Sequence, residues 1–369
     1  MEDSFIKIHK SLYPLSFLYG LGVNLRNKLF DWGILKSKSY EIPIICIGNI
    51  TVGGTGKTPH TEYLIRLLKN EFKIAVLSRG YKRKSKGFVL ATEDSSAKNI
   101  GDEPYQIKQK FPEVIVSVDK DRCHGIEMLM EENSNPRLDA ILLDDAFQHR
   151  YVSPGLSILL VDFNRLICDD ALLPAGRLRE PEHGKIRANM VIVTKCPQRM
   201  KPMDYRIISK RLDLYPYQEL YFTTYKYGGL TPLFPEYGAT RKTLAQIEKN
   251  EQVLLLTGIA SPKQMMQDLE RYTSQITPVT FSDHHDFGEN DLKTIKETFN
   301  RLSGNKKIIV TTEKDAARLS QISHIIDEEV KKSIYILPIE VKFLLNQDEM
   351  FNQNIIEYVR KNKRNGIIS

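Results

Sequence analysis

The sequence contains few cysteines, and their spacing suits neither disulfides nor zinc. The 369 residues include four cysteines, with no C-x-x-C pair among Cys46, Cys123, Cys168 and Cys196. A disulfide framework and a structural zinc site are therefore not expected. This cysteine usage is typical of proteins that stay in the reducing cytosol.

Long hydrophobic runs and nucleic-acid signatures are also lacking. Residues 11–25 carry no charge, but this stretch is shorter than the roughly 20 residues of a membrane-spanning helix. Pro14, Gly20 and Gly22 weaken a helix there further, and no small-residue cleavage site follows, so a signal peptide is not expected. No basic motif is studded with aromatic residues, so the sequence predicts no nucleic-acid partner.

Positive charge is present in excess. The formal net charge is +7, which suits nucleic acid, anionic membranes or phosphorylated substrates alike. The uncharged stretch 11–25 is flanked on both sides by basic residues, namely Lys7, Lys10, Arg26 and Lys28. Apolar residues between basic flanks are typical of a segment that lies in a membrane interface. A helix packed in the core would explain the same pattern, so both interpretations stay open.

A glycine-rich loop at residues 51–58 is the most informative stretch of the chain. Its glycines let backbone N–H groups turn toward phosphate oxygens, while Lys57 can reach the β- and γ-phosphates and the Thr58 hydroxyl can ligate Mg²⁺. The usual G-x-x-x-x-G-K-[ST] pattern begins with glycine where this chain has Thr51, so the loop must begin differently. The predicted nucleoside triphosphate site consists of Thr51, Val52, Gly53, Gly54, Thr55, Gly56, Lys57 and Thr58.

The length and the alternation of apolar runs predict two α/β domains. Short apolar runs such as 74–77, 140–143 and 190–193 alternate with stretches of helical length. They predict a P-loop NTPase-like, doubly wound and mostly parallel sheet, followed by a second, smaller α/β domain. The predicted boundaries are 1–35 for an N-terminal membrane-interface segment, 36–205 for the P-loop domain, 206–245 for a linker that could form paired strands, 246–345 for the second domain and 346–369 for a C-terminal helix and tail.

Carboxylates occur at the ends of two further predicted elements. Asp144 and Asp145 end an apolar run, as in the second motif of nucleotide sites, where a carboxylate holds Mg²⁺. Neighbouring side chains of a strand point to opposite faces, so one would face the metal and the other the substrate. Asp102 and Glu103 precede Pro104 at a predicted helix start, where aspartate is usually a cap. Catalytic and capping roles for Asp102 both stay open.

Further short motifs follow the loop in a characteristic order. They are G-N-I-T-V-G-G-T-G-K-T-P from residue 48, S-R-G-Y from 78, G-D-E-P from 101, D-R at 121, D-D-A-F-Q-H from 144, L-P-A-G-R-L-R-E-P from 173 and D-H at 283. Over roughly residues 15–320 this set resembles the tetraacyldisaccharide 4'-kinases, the lipid A biosynthetic kinases of Gram-negative bacteria. Thr51 belongs to the variant loop of that family. Small departures are Ala146, where glycine is more frequent, and Arg177, where proline is common.

The resemblance implies a reaction and a location. The reaction is ATP- and Mg²⁺-dependent phosphorylation of the 4'-hydroxyl of a lipid-anchored substrate, tetraacyldisaccharide 1-phosphate. The location is the cytoplasmic face of the inner membrane, with peripheral or monotopic attachment through the N-terminal apolar segment. No obligate protein partner is expected.

The resemblance also implies roles for single residues. Asp102 would be the base that accepts the proton of the sugar hydroxyl, with His284 paired to it. The metal shell would consist of Thr58, Glu103 and one or both of Asp144 and Asp145. Lipid or nucleotide contacts would come from Arg79, Tyr81, Arg122, Gln148 and Glu180.

Two other functions fit the loop alone. A GTP-dependent switch or ATPase switch would use hydrolysis to change partners, but guanine-reading proteins usually place an aspartate after an [NT]-K-x pattern. Here Thr194, Lys195 and Cys196 are followed by Pro197, and the spacing at 312–315 is wrong. A soluble small-molecule kinase or ligase of the same fold would leave the N-terminal apolar segment only a packing role. Membrane binding separates these classes.

Overall fold

The structure is a computed structural model, and it describes residues 8–132, 137–259, 263–282, 285–304 and 306–365. The strands of the described residues are β1 (Ile44–Gly48), β2 (Ile74–Ser78), β3 (Val89–Leu90), β4 (Ile115–Val118), β5 (Ala140–Asp144), β6 (Leu156–Asp162), β7 (Met190–Thr194), β8 (Glu219–Tyr227), β9 (Thr231–Pro232), β10 (Gln252–Thr257), β11 (Ile276–Thr280), β12 (Lys307–Thr312), β13 (Ile334–Leu337) and β14 (Ile339–Phe343). The helices are α1 (Tyr13–Asp31), α2 (Lys57–Leu68), α3 (Ala97–Ile100), α4 (Asp102–Lys110), α5 (Arg122–Glu132), α6 (Pro202–Leu212), α7 (Lys263–Leu269), α8 (Glu289–Arg301), α9 (Glu313–Gln321), α10 (Glu328–Lys331) and α11 (Asp348–Asn365).

The first of two compact units is built on a nine-stranded sheet with the order β14-β8-β7-β6-β1-β5-β2-β4-β3. It comprises the described parts of residues 1–95, 107–225 and 341–369. From β8 to β4 all neighbouring strands are parallel, and β3 pairs with β4 in the antiparallel sense. Every residue of β1 and β5 is buried, as parallel strands with helices on both faces require. The predicted doubly wound, mostly parallel sheet is confirmed.

Strand β1 lies where the chain order of this sheet changes direction. It pairs with β5 on one side and with β6 on the other, and β2 lies beyond β5. Ligands of doubly wound sheets bind outside the carboxyl ends of the strands at such a switch point. The glycine-rich loop connects β1 to α2, so it lies where the fold places a ligand.

The second unit is a smaller α/β structure around a five-stranded sheet with the order β11-β10-β12-β13-β9. It comprises the described parts of residues 96–106 and 226–340. The strands from β11 to β13 pair in parallel, and β9 pairs with β13 in the antiparallel sense. Alternate residues of β10 pack into two apolar clusters, Val253 and Leu255 into one and Leu254 and Leu256 into the other. The second domain therefore has the predicted α/β class.

Two segments that the sequence places outside the P-loop domain belong to the first unit. Within 206–245, the predicted linker, β8 joins the first sheet beside β7. Its buried residues include Tyr221 and Thr223, so it lacks the aliphatic run that marks the other strands. The C-terminal helix α11 packs within the first unit, where the Tyr358 hydroxyl donates to the Ile44 carbonyl over 3.1 Å.

Helix α1 buries mostly small or polar residues and exposes many apolar ones. Ser16, Gly20 and Asn27 are buried, together with Phe30 near the end of the helix. A Cβ atom at Gly20 would lie 2.8 Å from Leu172 Cδ1, so a larger residue there would require the Leu172 side chain to shift. The exposed side chains are Leu15, Phe17, Leu18, Leu21 and Leu25. Among the described residues, no helix is both long and apolar enough to cross a bilayer.

Candidate active site

The ends of neighbouring parallel strands bring predicted site residues to one edge of the first sheet. The glycine-rich loop follows β1, Arg79 follows β2, Arg122 begins α5 after β4, and Asp145 follows β5. Because these strands are parallel, their carboxyl ends meet at the same edge. Residues from four separate motifs therefore share one surface of the first unit.

The loop begins without a left-handed residue at Thr51. Thr51 forms an antiparallel bridge, and the next N–H, of Val52, donates to the Arg177 carbonyl over 2.7 Å. Positive φ values occur later, at Gly53 (117°) and Gly56 (87°). Only glycine adopts such values without strain. The paired, extended start explains why threonine can stand in place of the usual first glycine.

Gly56 is expected to tolerate no side chain. An alanine Cβ would lie 2.2 Å from Tyr225 Oη in a backbone with φ of 87°. We expect Gly56→Ala to raise the Kd for the nucleoside triphosphate at least about tenfold, because left-handed backbone alone costs about 1–2 kcal/mol. Adding Tyr225→Phe should recover part of the affinity by removing the clashing oxygen. Full affinity of Gly56→Ala in a calorimetric titration would contradict this prediction.

Lys57 and Arg179 share one carboxylate. Lys57 Nζ lies 3.6 Å from Asp145 Oδ1, and Arg179 Nη1 lies 3.8 Å from the same oxygen. Asp145 has a φ of 48°, so the backbone leaves the strand direction at this residue. Two cations beside one acid leave a positive balance at this point, which favours an incoming phosphate chain.

Asp144 is buried at the end of β5 among hydroxyl groups. Its carboxylate accepts hydrogen bonds from the Thr61 hydroxyl over 3.0 Å and from the Ser78 hydroxyl over 3.4 Å. Thr58 lies one turn before Thr61 on α2 and is partly buried. Carboxylate and hydroxyl oxygens are the hard ligands that Mg²⁺ takes. The oxygens of Thr58, Asp144 and Asp145 therefore match the chemistry of a magnesium site.

Buried polar atoms without a hydrogen-bond partner occur on the loops of this edge. At this edge the described ranges contain Asn49 Oδ1, Arg122 Nε, Gln148 Nε2 and His149 Nε2, while two further such atoms, Thr257 Oγ1 and Thr311 Oγ1, lie in the second unit. Burial, with the nearby Arg122 guanidinium, lowers the pKa of His149 to about 4, so this imidazole is neutral at pH 7. Unpartnered buried polar atoms are rare in folded proteins. Several of them on one edge favour a surface that completes its hydrogen bonds with a polar ligand.

The other predicted contact residues have different surroundings. Tyr81 is exposed, whereas Glu180 is buried and pairs with Arg187 over 2.6 Å. Gln148 Oε1 accepts a hydrogen bond from Arg179 over 3.1 Å. The carboxylate of Glu180 is therefore engaged inside the chain, while Gln148 connects to the cation pair around Asp145.

Asp121, Cys123 and His149 hold ligand-type atoms within 4.8 Å of one another. The Asp121 carboxylate accepts from the Cys123 N–H over 3.0 Å, which caps the start of α5. A cation there would also meet the Arg122 guanidinium, which already acts on His149. We therefore assign no metal to this group.

In the second unit, Asp102 is the first residue of α4 and is bound by an arginine. Arg318 donates to Asp102 Oδ2 from Nη2 over 2.6 Å and from Nε over 3.2 Å. Arg318 Nη1 also donates to Asp315 Oδ1 over 3.2 Å, and its side chain is only 5% exposed. The candidate base is thus held by a buried guanidinium.

Sequence reasoning did not single out Arg318, although a local signal exists. Thr312 caps α9, because its Oγ1 accepts from the Asp315 N–H over 3.1 Å. Arg318 follows Asp315 by three residues on the same helix face. In the sequence, residues 312–315 resemble only an incomplete guanine-reading pattern. His284, the predicted partner of Asp102, lies outside the described residues, and Glu103 follows Asp102 on α4.

Comparison with known proteins gives a consistent family. The sequence model of the family described as tetraacyldisaccharide-1-P 4'-kinase matches residues 8–360. A tetraacyldisaccharide 4'-kinase of Phocaeicola vulgatus is 60% identical over 100% of both chains. One of Flavobacterium johnsoniae is 45% identical over 96% of this chain and 98% of its own length.

A solved structure agrees with the sequence comparisons. It is the crystal structure of the "apo" form of LpxK from Aquifex aeolicus in complex with ATP. It has a TM-score of 0.71 and 28% identity, and covers 95% of this chain and 99% of that chain. The match of both sequence and fold extends over nearly the whole chain. This chain is therefore a member of the tetraacyldisaccharide-1-P 4'-kinase family.

Proposed function

We propose that the chain binds ATP at residues 51–58 and transfers its γ-phosphate to the 4'-hydroxyl of tetraacyldisaccharide 1-phosphate, a step of lipid A biosynthesis. Family membership and the names of the full-length relatives support the reaction. The observation that carries the assignment of the ATP site is the loop itself, with Lys57 facing Asp145 at the switch point of the sheet. Mass spectrometry of the purified disaccharide after incubation with the chain and ATP tests it. The substrate should gain one phosphate, and an unchanged mass would contradict the proposal.

Mg²⁺ would be held by Thr58, Asp144 and Asp145, with Glu103 as a further ligand. The hydroxyl and carboxylate oxygens of the first three lie on α2 and at the end of β5, and they are hard ligands. When bound, Mg²⁺ neutralises charge on the phosphates. Lys57 would add a point charge at the γ-phosphate, and Arg179 would extend the same positive field.

Asp102 would accept the proton of the 4'-hydroxyl, with His284 as its paired residue. The contact with Arg318 supports this role because hydrogen bonds from a buried guanidinium fix the orientation of the carboxylate. Phosphoryl transfer asks mainly for positioning and charge neutralisation and only modestly for proton removal, so a well-oriented carboxylate is adequate.

Arg79, Tyr81, Arg122, Gln148 and Glu180 would bind or support the substrates. The unpartnered atoms Arg122 Nε and Gln148 Nε2 favour direct polar contacts by these two residues. Glu180 would act differently, because its carboxylate is engaged by Arg187. Its part would be to hold the segment that contains Leu178, the residue paired with Thr51 of the phosphate loop, near Asn27 of α1.

The chain would dock peripherally on the cytoplasmic face of the inner membrane through α1. The exposed apolar face of this helix supports this arrangement, since Phe17 is 67% exposed and Leu18 is 64% exposed. Basic residues at 26 and 28 could add attraction to anionic lipid. Docking would bring the protein to the headgroup layer, where the hydroxyl of a lipid-anchored acceptor lies.

The double substitution Phe17→Glu and Leu21→Glu should release the chain from liposomes that contain anionic lipid. We expect a higher apparent KM for the lipid, because the apolar side chains of α1 would no longer be buried in the membrane. The KM for ATP should change little, because the substitutions lie outside the phosphate loop. Flotation and steady-state kinetics measure both. Met350→Glu on α11 is a matched control, since Met350 is also an exposed apolar residue. If the double variant floats and turns over lipid like the parent chain, α1 is not the docking element.

A further inference from the structure

Three consecutive carbonyl groups of the phosphate loop are each bound by a side chain. The Gly54 carbonyl accepts from Lys195 Nζ, and the Thr55 carbonyl accepts from Thr194 Oγ1 over 2.8 Å. The Gly56 carbonyl lies 2.7 Å from Nδ1 of His60. These side chains come from the end of β7 and from α2, and all belong to the first unit.

The direction of these carbonyls fixes the direction of the loop's N–H groups. In a trans peptide unit, the C=O of one residue and the N–H of the next point in opposite directions. Binding the carbonyls of residues 54, 55 and 56 on one side therefore turns the N–H groups of residues 55, 56 and 57 to the other side. Successive N–H groups turned to one side form the concave surface that binds phosphate.

Both ring nitrogens of His60 are hydrogen-bonded. Because the Gly56 carbonyl can only accept, Nδ1 donates to it over 2.7 Å. Nε2 lies 3.0 Å from the Thr223 hydroxyl, which fixes the ring from β8. The imidazole thus links the loop to β8.

Lys195 is fixed from its other side as well. Its Nζ pairs with Asp162 over 2.7 Å, and its backbone has a φ of 57°. Asp162 ends β6, which is the strand beside β1 in the sheet. The ammonium group is therefore positioned by β6 and β7 together before it reaches the Gly54 carbonyl.

We propose that Lys195, Thr194 and His60 are positioning residues that hold the N–H groups of the phosphate loop toward the phosphates of ATP. The proposal rests on the proposed ATP site. These residues act through the loop backbone and without contact with the reacting atoms. They should therefore govern the affinity for ATP more than the rate of transfer.

Calorimetric titration of the full chain with ATP and Mg²⁺ tests this proposal. Lys195→Met should raise the Kd roughly 10- to 100-fold, as the loss of a charge-assisted hydrogen bond predicts. His60→Leu should raise it roughly tenfold, because it removes a neutral hydrogen bond and leaves the Gly56 carbonyl with one donor fewer. Both variants should raise the KM for ATP by similar factors and change kcat much less.

Conservative variants and a control separate positioning from general stability. Lys195→Arg keeps a cationic donor and His60→Asn keeps an N–H near the place of Nδ1, so both should recover most of the affinity. Lys69→Met removes a similar ion pair, with Glu113, and should leave the Kd unchanged. If Lys195→Met does not fold, the comparison of His60→Leu with His60→Asn provides the same test.

The outcomes distinguish this inference from the proposed ATP site. If Lys57→Ala weakens ATP binding while Lys195→Met and His60→Leu bind like the parent chain, the positioning role is wrong and the site stands. If none of the three changes the Kd, the ATP site itself is wrong. A lower melting temperature with an unchanged Kd would make Lys195 and His60 purely structural and would also overturn the inference.

Discussion

Replacing Lys57 with alanine is expected to abolish phosphoryl transfer in a chain that still folds. Lys57 is only 12% exposed and lies 3.6 Å from Asp145, so its charge acts where water is largely excluded. Loss of one such electrostatic donor typically lowers kcat by about 10²- to 10³-fold. The fold should persist, because Asp145 is 31% exposed and keeps Arg179 as a neighbour. Steady-state kinetics and a thermal melt measure the two effects.

A matched lysine controls for the change in net charge. Lys69 follows the same helix and pairs with Glu113 at the surface, so Lys69→Ala should leave kcat/KM unchanged. Exposed ion pairs contribute little to stability. If folded Lys57→Ala keeps more than about a tenth of kcat/KM, a loss of about 1.4 kcal/mol or less, then the loop does not bind the transferred phosphate.

Replacing Asp102 should lower kcat by roughly 10²- to 10⁴-fold with little change in the KM for ATP, as loss of a general base predicts. The choice of variant matters because Arg318 donates two hydrogen bonds to this carboxylate from a nearly buried position. Asp102→Ala leaves the guanidinium with fewer acceptors, whereas Asp102→Asn retains an oxygen at this place. The asparagine variant therefore tests proton acceptance with less disturbance of the fold.

A double-variant cycle tests whether Asp102 and His284 act as one unit. If they do, the double variant should be scarcely slower than the poorer single variant. Fully additive losses would show that the two residues act separately. An unchanged kcat in Asp102→Asn would leave Asp102 as the first residue of α4 and an ion-pair partner of Arg318, without a role in proton transfer.

The parts of the fold that depend on local sequence were predictable. Apolar runs predicted the parallel strands. The phosphate-binding pattern of the loop between β1 and α2 lies in adjacent residues, so it could be recognised in the sequence. Asp144 was equally predictable from the sequence, because it ends an apolar run. In each case a short stretch determines the element and places its candidate site residue, so no knowledge of distant contacts is needed.

Features that depend on distant contacts were not predictable. Thr194 binds the Thr55 carbonyl across a separation of 139 residues, and no local pattern links them. Arg318 reaches Asp102 across 216 residues. The buried residues of strand β8 are mostly aromatic or carry hydroxyl groups, so the sequence predicted a linker there. In α1, Gly20 packs against Leu172 while Leu15, Phe17 and Leu18 are exposed, and composition alone left the two orientations of the helix open.

The position of the new phosphate on the product decides whether the chain is a 4'-kinase. The purified full chain would be incubated with ATP, Mg²⁺ and tetraacyldisaccharide 1-phosphate in detergent micelles, and the product examined by two-dimensional ¹H–³¹P NMR. We predict a second phosphorus signal coupled to the proton at the 4' position, and no such signal with Lys57→Ala. A new phosphate at any other position, or phosphate released only as the free anion, would show that the chain does not phosphorylate the 4'-hydroxyl.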